Sequence, residues 1–374
     1  MSGTGTTGGA PGKLQWIQSL RGIAALMVLF FHMTPHWATV PALAVFTGAM
    51  QWGFAGVDVF FALSGFVVYQ AAKKAVRQGV IARFVQHRLL RVYLGYWPVL
   101  CLLALTNAWV LNRPFPPAEK ALFSILLFYP SMWDNWLLPA WSLTFELCFY
   151  AWVLVLILAW RSRPQVMVAL ALAFLLVWNV GWILLQPGVV YGGQQPLRYA
   201  LSPFGIEFFM GALASEVFER TRTPAGRARV ALLLVGGTMV AGGFALGTTT
   251  PAFTNVDILR VASFGAAGLG LLLLFLALEL GRLAPPRWLV VVGNASYSLY
   301  LLHTILLDLF AALRSLIERY IGWSAAPLLL VIVMPVVIVL LAVLWYRKVE
   351  RPLLELALRR GARPARRIPA GESS

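Results

Sequence analysis

Long runs of apolar residues recur along the chain, and short segments carrying most of its charges separate them. A helix that crosses a bilayer needs about 20 mostly apolar residues, because each residue adds about 1.5 Å of length. The pattern therefore predicts an all-α, polytopic integral membrane bundle of about ten transmembrane helices. The predicted spans are residues 16–36, 52–71, 92–111, 141–160, 165–186, 203–219, 229–248, 260–280, 288–312 and 325–346.

Two apolar stretches need a separate interpretation. Within residues 116–132, the apolar run 121–129 is too short to cross a bilayer, so we predict an interfacial or re-entrant segment there. The first run, residues 16–35, lacks an Ala-x-Ala cleavage pattern. We therefore expect it to be a retained transmembrane helix rather than a signal peptide.

The composition excludes a soluble globular protein. The 374 residues are 60% hydrophobic and 12% charged, whereas a soluble domain is about 25% charged. So little polar surface requires lipid as the solvent for much of the exterior.

The distribution of positive charge predicts the topology. The net charge is +16, but the basic residues lie in short breaks between apolar runs, as in membrane proteins rather than nucleic-acid-binding proteins. Segments on one predicted side, among them a loop from Lys73 to Arg91, carry 23 Lys and Arg. Those on the other side carry six, which are Arg113, Lys120, Arg198, Arg260, Arg314 and Arg319. Because cytoplasmic loops are enriched in Lys and Arg, we predict that both termini are cytoplasmic and that the protein lies in the cell (inner or plasma) membrane.

The chain divides into three predicted regions. Residues 1–13 are rich in Gly and Thr and read as a disordered tail, and residues 14–355 form the transmembrane domain. Residues 356–374 are a basic cytoplasmic tail, which we expect to be disordered from Arg359 and to lie near anionic lipid.

Ionisable residues inside apolar spans are costly and indicate functional sites. Arg21 and His32 both lie in the first span and are 11 residues apart. Eleven residues are close to three helical turns, so both side chains share one face about 16 Å apart. They define a line across the membrane.

Three acidic residues lie near the starts of later spans that are predicted to run inward across the membrane. Asp58, Glu146 and Glu207 each lie four to seven residues inside a predicted helix start. On the predicted topology all three reach the depth of His32, so we expect one shared polar cavity. Hydrogen bonding between helices is the structural alternative for each acid.

A histidine beside a carboxylate in a dry cavity can act as a general base, because the carboxylate stabilises the imidazolium. The same groups would suit the proton relay of a transporter, so a proton-linked transporter or exporter is the alternative function. The four histidines show no HExxH or other ligand spacing. Cys101 and Cys148 lie in apolar runs, and we predict no metal.

Basic residues precede the third span. Arg88 and Arg91 are three residues apart, so on a helix they point the same way. Two guanidiniums on one face suit a phosphate clamp. Ordinary positive-inside loop charge is the alternative interpretation.

Six short blocks occur in a fixed order along residues 14–355. They are Leu20–Ala25 with Phe31-His32, Gly56–Phe66, Arg88-Leu89-Leu90-Arg91, Trp141-Ser142-Leu143 with Glu146, Ser296–His303, and Glu350-Arg351-Pro352. In this order they resemble the motifs of acyltransferase family 3, a family of integral membrane acyltransferases, including its Arg-x10-His signature and its Arg-x-x-Arg motif.

The resemblance implies transfer of an acyl group, usually acetyl, from acyl-CoA (acyl-coenzyme A) to a hydroxyl. The acceptor implied is often a cell-surface carbohydrate, and lipid-linked glycans, glycolipids and small molecules stay open. By this resemblance His32 is the catalytic base, and Arg88 with Arg91 binds the cytoplasmic donor. The acyl-pantetheine arm would then reach through the bundle towards His32.

Other residues take roles from the same resemblance. Arg21 resembles a donor-side or intermediate-positioning residue. Asp58 and Glu146 resemble cavity residues, and the resemblance does not assign a separate role to each. Tyr297 and His303 either line the same cavity or pack in the core.

Overall fold

A computed structural model of the protein describes residues 14–37, 43–128, 135–159, 161–185, 197–221, 225–249, 258–281, 283–321 and 326–361. Every regular element in these ranges is a helix. The α-helices are α1 (Gln15–Trp37), α2 (Ala44–Met50), α3 (Gly56–Arg77), α4 (Ile81–Trp109), α5 (Ala118–Leu126), α6 (Trp141–Ala159), α7 (Pro164–Leu185), α8 (Leu197–Ala200), α9 (Phe204–Thr221), α10 (Ala225–Thr249), α11 (Ile258–Arg260), α12 (Ala266–Glu279), α13 (Arg287–Asn294), α14 (Ser296–Ile321), α15 (Ala326–Trp345) and α16 (Arg351–Gly361).

Four tighter or wider helical turns connect or precede these helices. They are 3₁₀ turns at Gln51–Ala55 and Leu138–Ala140, and π-helical turns at Val261–Gly265 and Tyr346–Glu350. Through them, α2 and α3 form one bent segment, and so do α11 with α12 and α15 with α16.

Nine helices of the described chain are long and apolar enough to cross a membrane. Each of the nine overlaps one predicted span, which confirms the polytopic all-α membrane fold. The tenth predicted span, 203–219, corresponds to α9, an 18-residue helix with four charged residues. Those charges exceed what a simple apolar span carries.

Two of the four charged residues of α9, Glu216 and Glu219, are paired with side chains of α3. Lys73 donates to Glu216 and, at 2.8 Å, to Glu219, and the Tyr69 hydroxyl donates to Glu216 at 2.7 Å. Lys73 is buried within α3, although the sequence analysis assigned it to a cytoplasmic loop. That prediction is wrong because α3 continues to Arg77 and leaves only residues 78–80 as a loop.

Glycines let the central helices approach closely. A side chain at Gly65 would collide with the Phe208 backbone, and one at Gly211 would collide with the Ala62 backbone. Small residues at such crossings are typical of membrane helix packing. They bring α9 directly against α3 in the core.

Three predicted helix boundaries are wrong. The second span was predicted from residue 52, but its helical segment begins at Ala44. The third was predicted from residue 92, but its helix begins at Ile81, so Arg88 and Arg91 lie well inside the helix rather than at its entry. The ninth breaks at Ala295, because α13 packs tightly on α1, with the Gly293 backbone against Gln18.

The segments outside the spans also differ in part from prediction. α5 has nine residues, too few to cross a bilayer. Disorder from Arg359 is wrong for the first residues, since α16 continues to Gly361 with an Arg351–Glu355 ion pair of 2.7 Å. The predicted disorder of residues 1–13 and of residues 362–374 lies outside the described residues.

Candidate functional site

An arginine-lined cavity lies among α1, α3, α4, α6 and α14. It has about 840 Å³ of space not filled by protein atoms, part of it open to solvent, and we call it the arginine cavity. Its polar lining residues are Arg21, Ser64, Arg88, Arg91, Ser142, Glu146, Tyr150, Ser296, Tyr297 and Tyr300. The structure therefore brings together Arg21, Arg88, Arg91, Glu146 and Tyr297, five of the seven residues singled out from sequence.

The positive charge of this cavity is not neutralised by ion pairs. Among the described residues, no carboxylate lies within ion-pair distance of Arg21, Arg88 or Arg91. The Nε of Arg88 is buried without a hydrogen-bond partner. Buried charges that lack partners are costly, so the cavity favours an anionic ligand.

Two carboxylates act electrostatically on this charge, Glu146 in the cavity lining and the buried Glu350 near Arg21 and Arg91. Glu146 accepts a hydrogen bond from the Ser64 hydroxyl at 2.9 Å and another from the Tyr150 hydroxyl. The Arg88 guanidinium lies 5.8 Å from the centre of the Tyr150 ring. Glu146 is thus fixed by neutral donors from α3 and α6, and its charge stays available to the cavity.

Tyr297 has a structural partner as well as a cavity position. Its hydroxyl donates to the carbonyl of Val92 at 2.8 Å, and its ring occupies the space where Gly95 lacks a side chain. The neighbouring Ser296 hydroxyl is buried without a partner. Tyr297 therefore joins α14 to α4 and forms part of the cavity wall.

A second cavity lies along α1 from the first, towards its carboxyl end. It encloses about 1300 Å³ of empty space, and we call it the histidine cavity. Its polar and aromatic lining residues are His32, His36, Asn107, Arg113, Lys120, Asn135, Trp136, Thr304 and Asp308.

His32 is oriented by the backbone and by a second histidine. Its Nδ1 lies 2.9 Å from the carbonyl of Val28, and donation from Nδ1 leaves a lone pair on Nε2. The ring of His303 lies 4.8 Å away, centre to centre. His303 is buried, and its Nε2 has no hydrogen-bond partner. The expected carboxylate beside His32 is thus replaced by an imidazole.

Aromatic side chains connect the two cavities. The ring of Tyr300, which lines the arginine cavity, lies 6.0 Å from that of His303. Its hydroxyl is 2.9 Å from the Ser142 hydroxyl. A continuous line of side chains therefore runs from the arginine cavity through Tyr300 and His303 to His32.

Asp58 lies apart from both cavities. Its carboxylate accepts two hydrogen bonds from Arg260, at 3.0 and 2.8 Å, and both side chains are buried. The Arg260 guanidinium lies 5.0 and 5.1 Å from the ring centres of Phe54 and Phe204. Glu207 is buried beside this pair, against Gly265.

The predicted single cavity holding Asp58, Glu146, Glu207 and His32 is therefore wrong. Distance from a helix start does not fix depth: α6 and α9 begin at Trp141 and Phe204, within one residue of the predicted starts, yet Glu146 lines the arginine cavity and Glu207 lies against Gly265. A side chain at Gly56 would collide with the Ala24 carbonyl, which is eight residues, or about 12 Å, from His32 along α1.

Sequence reasoning missed Arg260, Tyr150 and Tyr300. Arg260 was counted as a loop charge, although it begins an apolar run and so had to enter the bundle. Tyr150 lies four residues after Glu146, a spacing that puts both on one helix face and could have been recognised. Nothing in the local pattern indicates that Tyr300 contacts Ser142.

The described residues contain no group of three or more His, Cys, Asp and Glu that could hold a metal ion. The expectation that no metal takes part stays a prediction.

Comparison with known proteins gives one family. Residues 14–346 match the model of acyltransferase family 3, described as an acyltransferase domain. The chain is 30% identical over 341 residues to the "Exopolysaccharide production protein ExoZ" of Rhizobium meliloti (strain 1021), covering 85% of this chain and 93% of that protein. No solved structure matches this chain significantly.

A second relative carries a similar description. The chain is 24% identical over 315 residues to the "Putative membrane-bound transacylase BcsY" of Komagataeibacter xylinus, covering 77% of this chain and 71% of that protein. The family match spans nearly the whole described bundle and contains both cavities. The chain therefore belongs to acyltransferase family 3 and is a multi-pass membrane acyltransferase.

Proposed function

We propose that the protein moves an acetyl group from acetyl-CoA, bound in the arginine cavity from the cytoplasm, to a hydroxyl of an extracytoplasmic glycan in the histidine cavity. The observation that carries the proposal is the pair of cavities on one helix. One presents three arginines without ion-pair partners, and the other presents His32 with a free Nε2.

The donor site is supported by charge. Coenzyme A carries several phosphate charges, and guanidiniums bind phosphate through paired hydrogen bonds. Arg88 and Arg91 lie on one face of α4 and line the same cavity as Arg21. In this proposal Arg88 and Arg91 hold the phosphates, and Arg21 binds the donor at the start of its acyl-pantetheine arm, which extends from there to bring the thioester to His32.

In the proposed chemistry, the acceptor hydroxyl attacks the thioester carbonyl while Nε2 of His32 takes its proton. The carbon–sulfur bond then breaks, and the released thiolate takes up that proton as coenzyme A leaves. His303 contacts the His32 ring and acts as a positioning residue for it. Asp58 serves the fold through its pair with Arg260, and Glu146 holds the charge balance of the donor cavity.

The names of the relatives support a glycan acceptor, since one is an exopolysaccharide production protein and another a putative membrane-bound transacylase. Family membership favours an enzyme over the proton-linked transporter that the same polar residues would suit. The proposed location is the cell inner membrane, with both termini cytoplasmic. Reporter fusions at each end, one active only in the cytoplasm and one only outside, test this orientation.

The proposal is tested by transfer of radiolabelled acetyl from acetyl-CoA into the glycan fraction of cells expressing the protein. We expect His32→Ala to abolish labelling at matched protein level. His87→Ala is the matched control, because His87 lines neither cavity, and it should label like the wild type. Equal labelling by His32→Ala would remove His32 from the mechanism.

A binding measurement separates the donor site from the chemistry. In detergent-purified protein, Arg88→Ala should weaken acetyl-CoA binding, and Arg83→Ala, an exposed residue of the same helix outside the cavity lining, should not. His32→Ala should bind the donor normally. If Arg88→Ala and Arg83→Ala bound it equally well, the donor would not lie in the arginine cavity.

A further inference from the structure

The histidine cavity collects positive charge on the side of the bundle where Lys and Arg are scarce. Only six Lys and Arg were assigned to the predicted outer segments, and two of them, Arg113 and Lys120, line this cavity. A third, Arg314, is ion-paired with Glu318 at 2.7 Å and also acts electrostatically on His36. Positive-inside topology disfavours Lys and Arg here, so topology does not explain their presence.

One of the two lining cations is only loosely paired. Arg113 Nη1 lies 2.6 Å from Asp308 Oδ2, and their side chains are 52% and 40% exposed. A pair this exposed is worth little, so an incoming anion can compete with Asp308 for the guanidinium. The guanidinium has five N–H donors, and the pair with Asp308 is made through one of its nitrogens.

The second lining cation has no acidic partner. Lys120, in the first turn of α5, makes no ion pair within the part of the chain that the structure describes. Among the described lining residues the charged side chains are Arg113, Lys120 and Asp308, so two positive charges face one negative charge beside the imidazoles of His32 and His36.

The rest of the lining suits a sugar. The side-chain oxygen of Asn107 is buried without a hydrogen-bond partner, although Asn107 lines the cavity. It can accept a hydrogen bond from a hydroxyl, which would satisfy a costly buried acceptor. The Trp136 ring also lines the cavity and offers an apolar face of the kind that packs against the C–H face of a sugar ring.

We infer that the acceptor is an acidic glycan, whose carboxylate is bound by Lys120 and Arg113 while a neighbouring hydroxyl is presented to His32. This inference rests on the proposed function, in which the histidine cavity holds the acceptor. Lys120 and Arg113 then select the acceptor by its charge, and His32 acts on its hydroxyl.

The test compares two probes that differ only in charge. They are oligogalacturonic acid and its carboxyl-reduced, neutral counterpart of equal length. Binding and acetyl transfer from radiolabelled acetyl-CoA are both measured on the full-length protein in nanodiscs of phosphatidylcholine, which has no net charge and does not compete. We expect the acidic probe to bind at least about tenfold more tightly, as one charge-assisted hydrogen bond allows.

Variants assign the preference to residues. Lys120→Gln and Arg113→Gln should each reduce the preference for the acidic probe, and Lys120→Arg should keep it. Arg319→Gln is the matched control, because Arg319 is exposed on α14 and does not line the cavity. Raising the salt to about 0.5 M should weaken binding of the acidic probe alone, since salt screens exposed charges.

Several outcomes overturn the inference. They are equal binding of both probes, binding of neither, and a preference that survives both Lys120→Gln and Arg113→Gln. Selective binding of the acidic probe without acetyl transfer would support the acidic acceptor and count against the proposed function. The two failures are thereby distinguished.

Discussion

The two cavities along α1 hold charge in opposite ways. In the arginine cavity three guanidiniums, which are charged at any physiological pH, lack ion-pair partners among the described residues. In the histidine cavity the lining imidazole of His32 packs against that of the buried His303, and each ring has Nδ1 turned to a carbonyl of its own helix. Permanent charge suits binding of an anion, and a titratable ring suits proton transfer.

This difference teaches how the bundle separates binding from chemistry. Arg21 and His32 share one helix, yet their surroundings differ because α4 and α6 supply arginines and Glu146 at one end, and α14 supplies His303 at the other. If the separation is real, substitutions in the two cavities should change different kinetic constants.

The largest expected effect is on turnover. His32→Gln should lower kcat by about 10²- to 10⁴-fold, the usual contribution of a general base, and leave the KM for acetyl-CoA unchanged. Steady-state kinetics in purified membranes measure both constants, with His87→Gln as the matched control. A rise in the KM for acetyl-CoA with an unchanged kcat would place His32 in the donor site and contradict the separation of binding and chemistry between the two cavities.

The buried Asp58–Arg260 pair lies outside both cavities and should affect stability. Asp58→Ala should lower the free energy of unfolding by about 3–5 kcal/mol, because it removes the buried carboxylate that accepts two hydrogen bonds from the Arg260 guanidinium. Chemical denaturation in detergent checks this, with Glu318→Gln as the control, since the Arg314–Glu318 pair is partly exposed. The double variant Asp58→Leu with Arg260→Met should recover much of the loss. Equal stability of Asp58→Ala and Glu318→Gln would contradict the structural role.

The next effect is on donor affinity. Arg88→Ala should raise the KM for acetyl-CoA by about 10- to 100-fold, the loss of a charged hydrogen-bond donor, with kcat changed little. Arg83→Ala should keep the wild-type KM. If Arg88→Ala lowered kcat and left KM unchanged, Arg88 would act on the reacting atoms rather than on the phosphates.

The smallest expected effect concerns Tyr297. Tyr297→Phe removes the hydrogen bond to Val92 and should destabilise the protein by about 1 kcal/mol without changing the donor KM. Thermal unfolding together with donor titration measures both, and Tyr320→Phe at an exposed position is the control. A raised donor KM with unchanged stability would instead make Tyr297 a donor-binding residue.

The helices were largely predictable because each transmembrane segment must satisfy its own backbone hydrogen bonds and face lipid. Arg88 and Arg91 were predicted to point the same way from their spacing alone, and both line one cavity. Arg21 joins them because a buried arginine has few alternatives to a polar cavity.

What the sequence could not predict is which polar groups share a depth. That property depends on where each helix begins, and 3₁₀ or π-helical turns shift the frame without changing hydrophobicity. The turn at Gln51–Ala55 lies before Asp58, and the π-helical turn at Val261–Gly265 follows Arg260. The contact between His32 and His303 joins residues 271 positions apart and leaves no periodic signal.

The close contact between α1 and α13 has a consequence for donor choice. A side chain at Gly22 would lie 2.9 Å from the Gly293 nitrogen, so the two backbones touch one residue after Arg21 and α1 cannot slide. The distance between Arg21 and His32 along α1 is then fixed at about 16 Å. A donor with a long, flexible thioester arm can span this distance, and a donor with a short arm cannot. We expect no acetyl transfer from acetyl phosphate, in which the acyl group is bonded directly to the phosphate, under conditions where acetyl-CoA reacts. Acetyl transfer from both donors at similar rates would show that this distance does not select the donor.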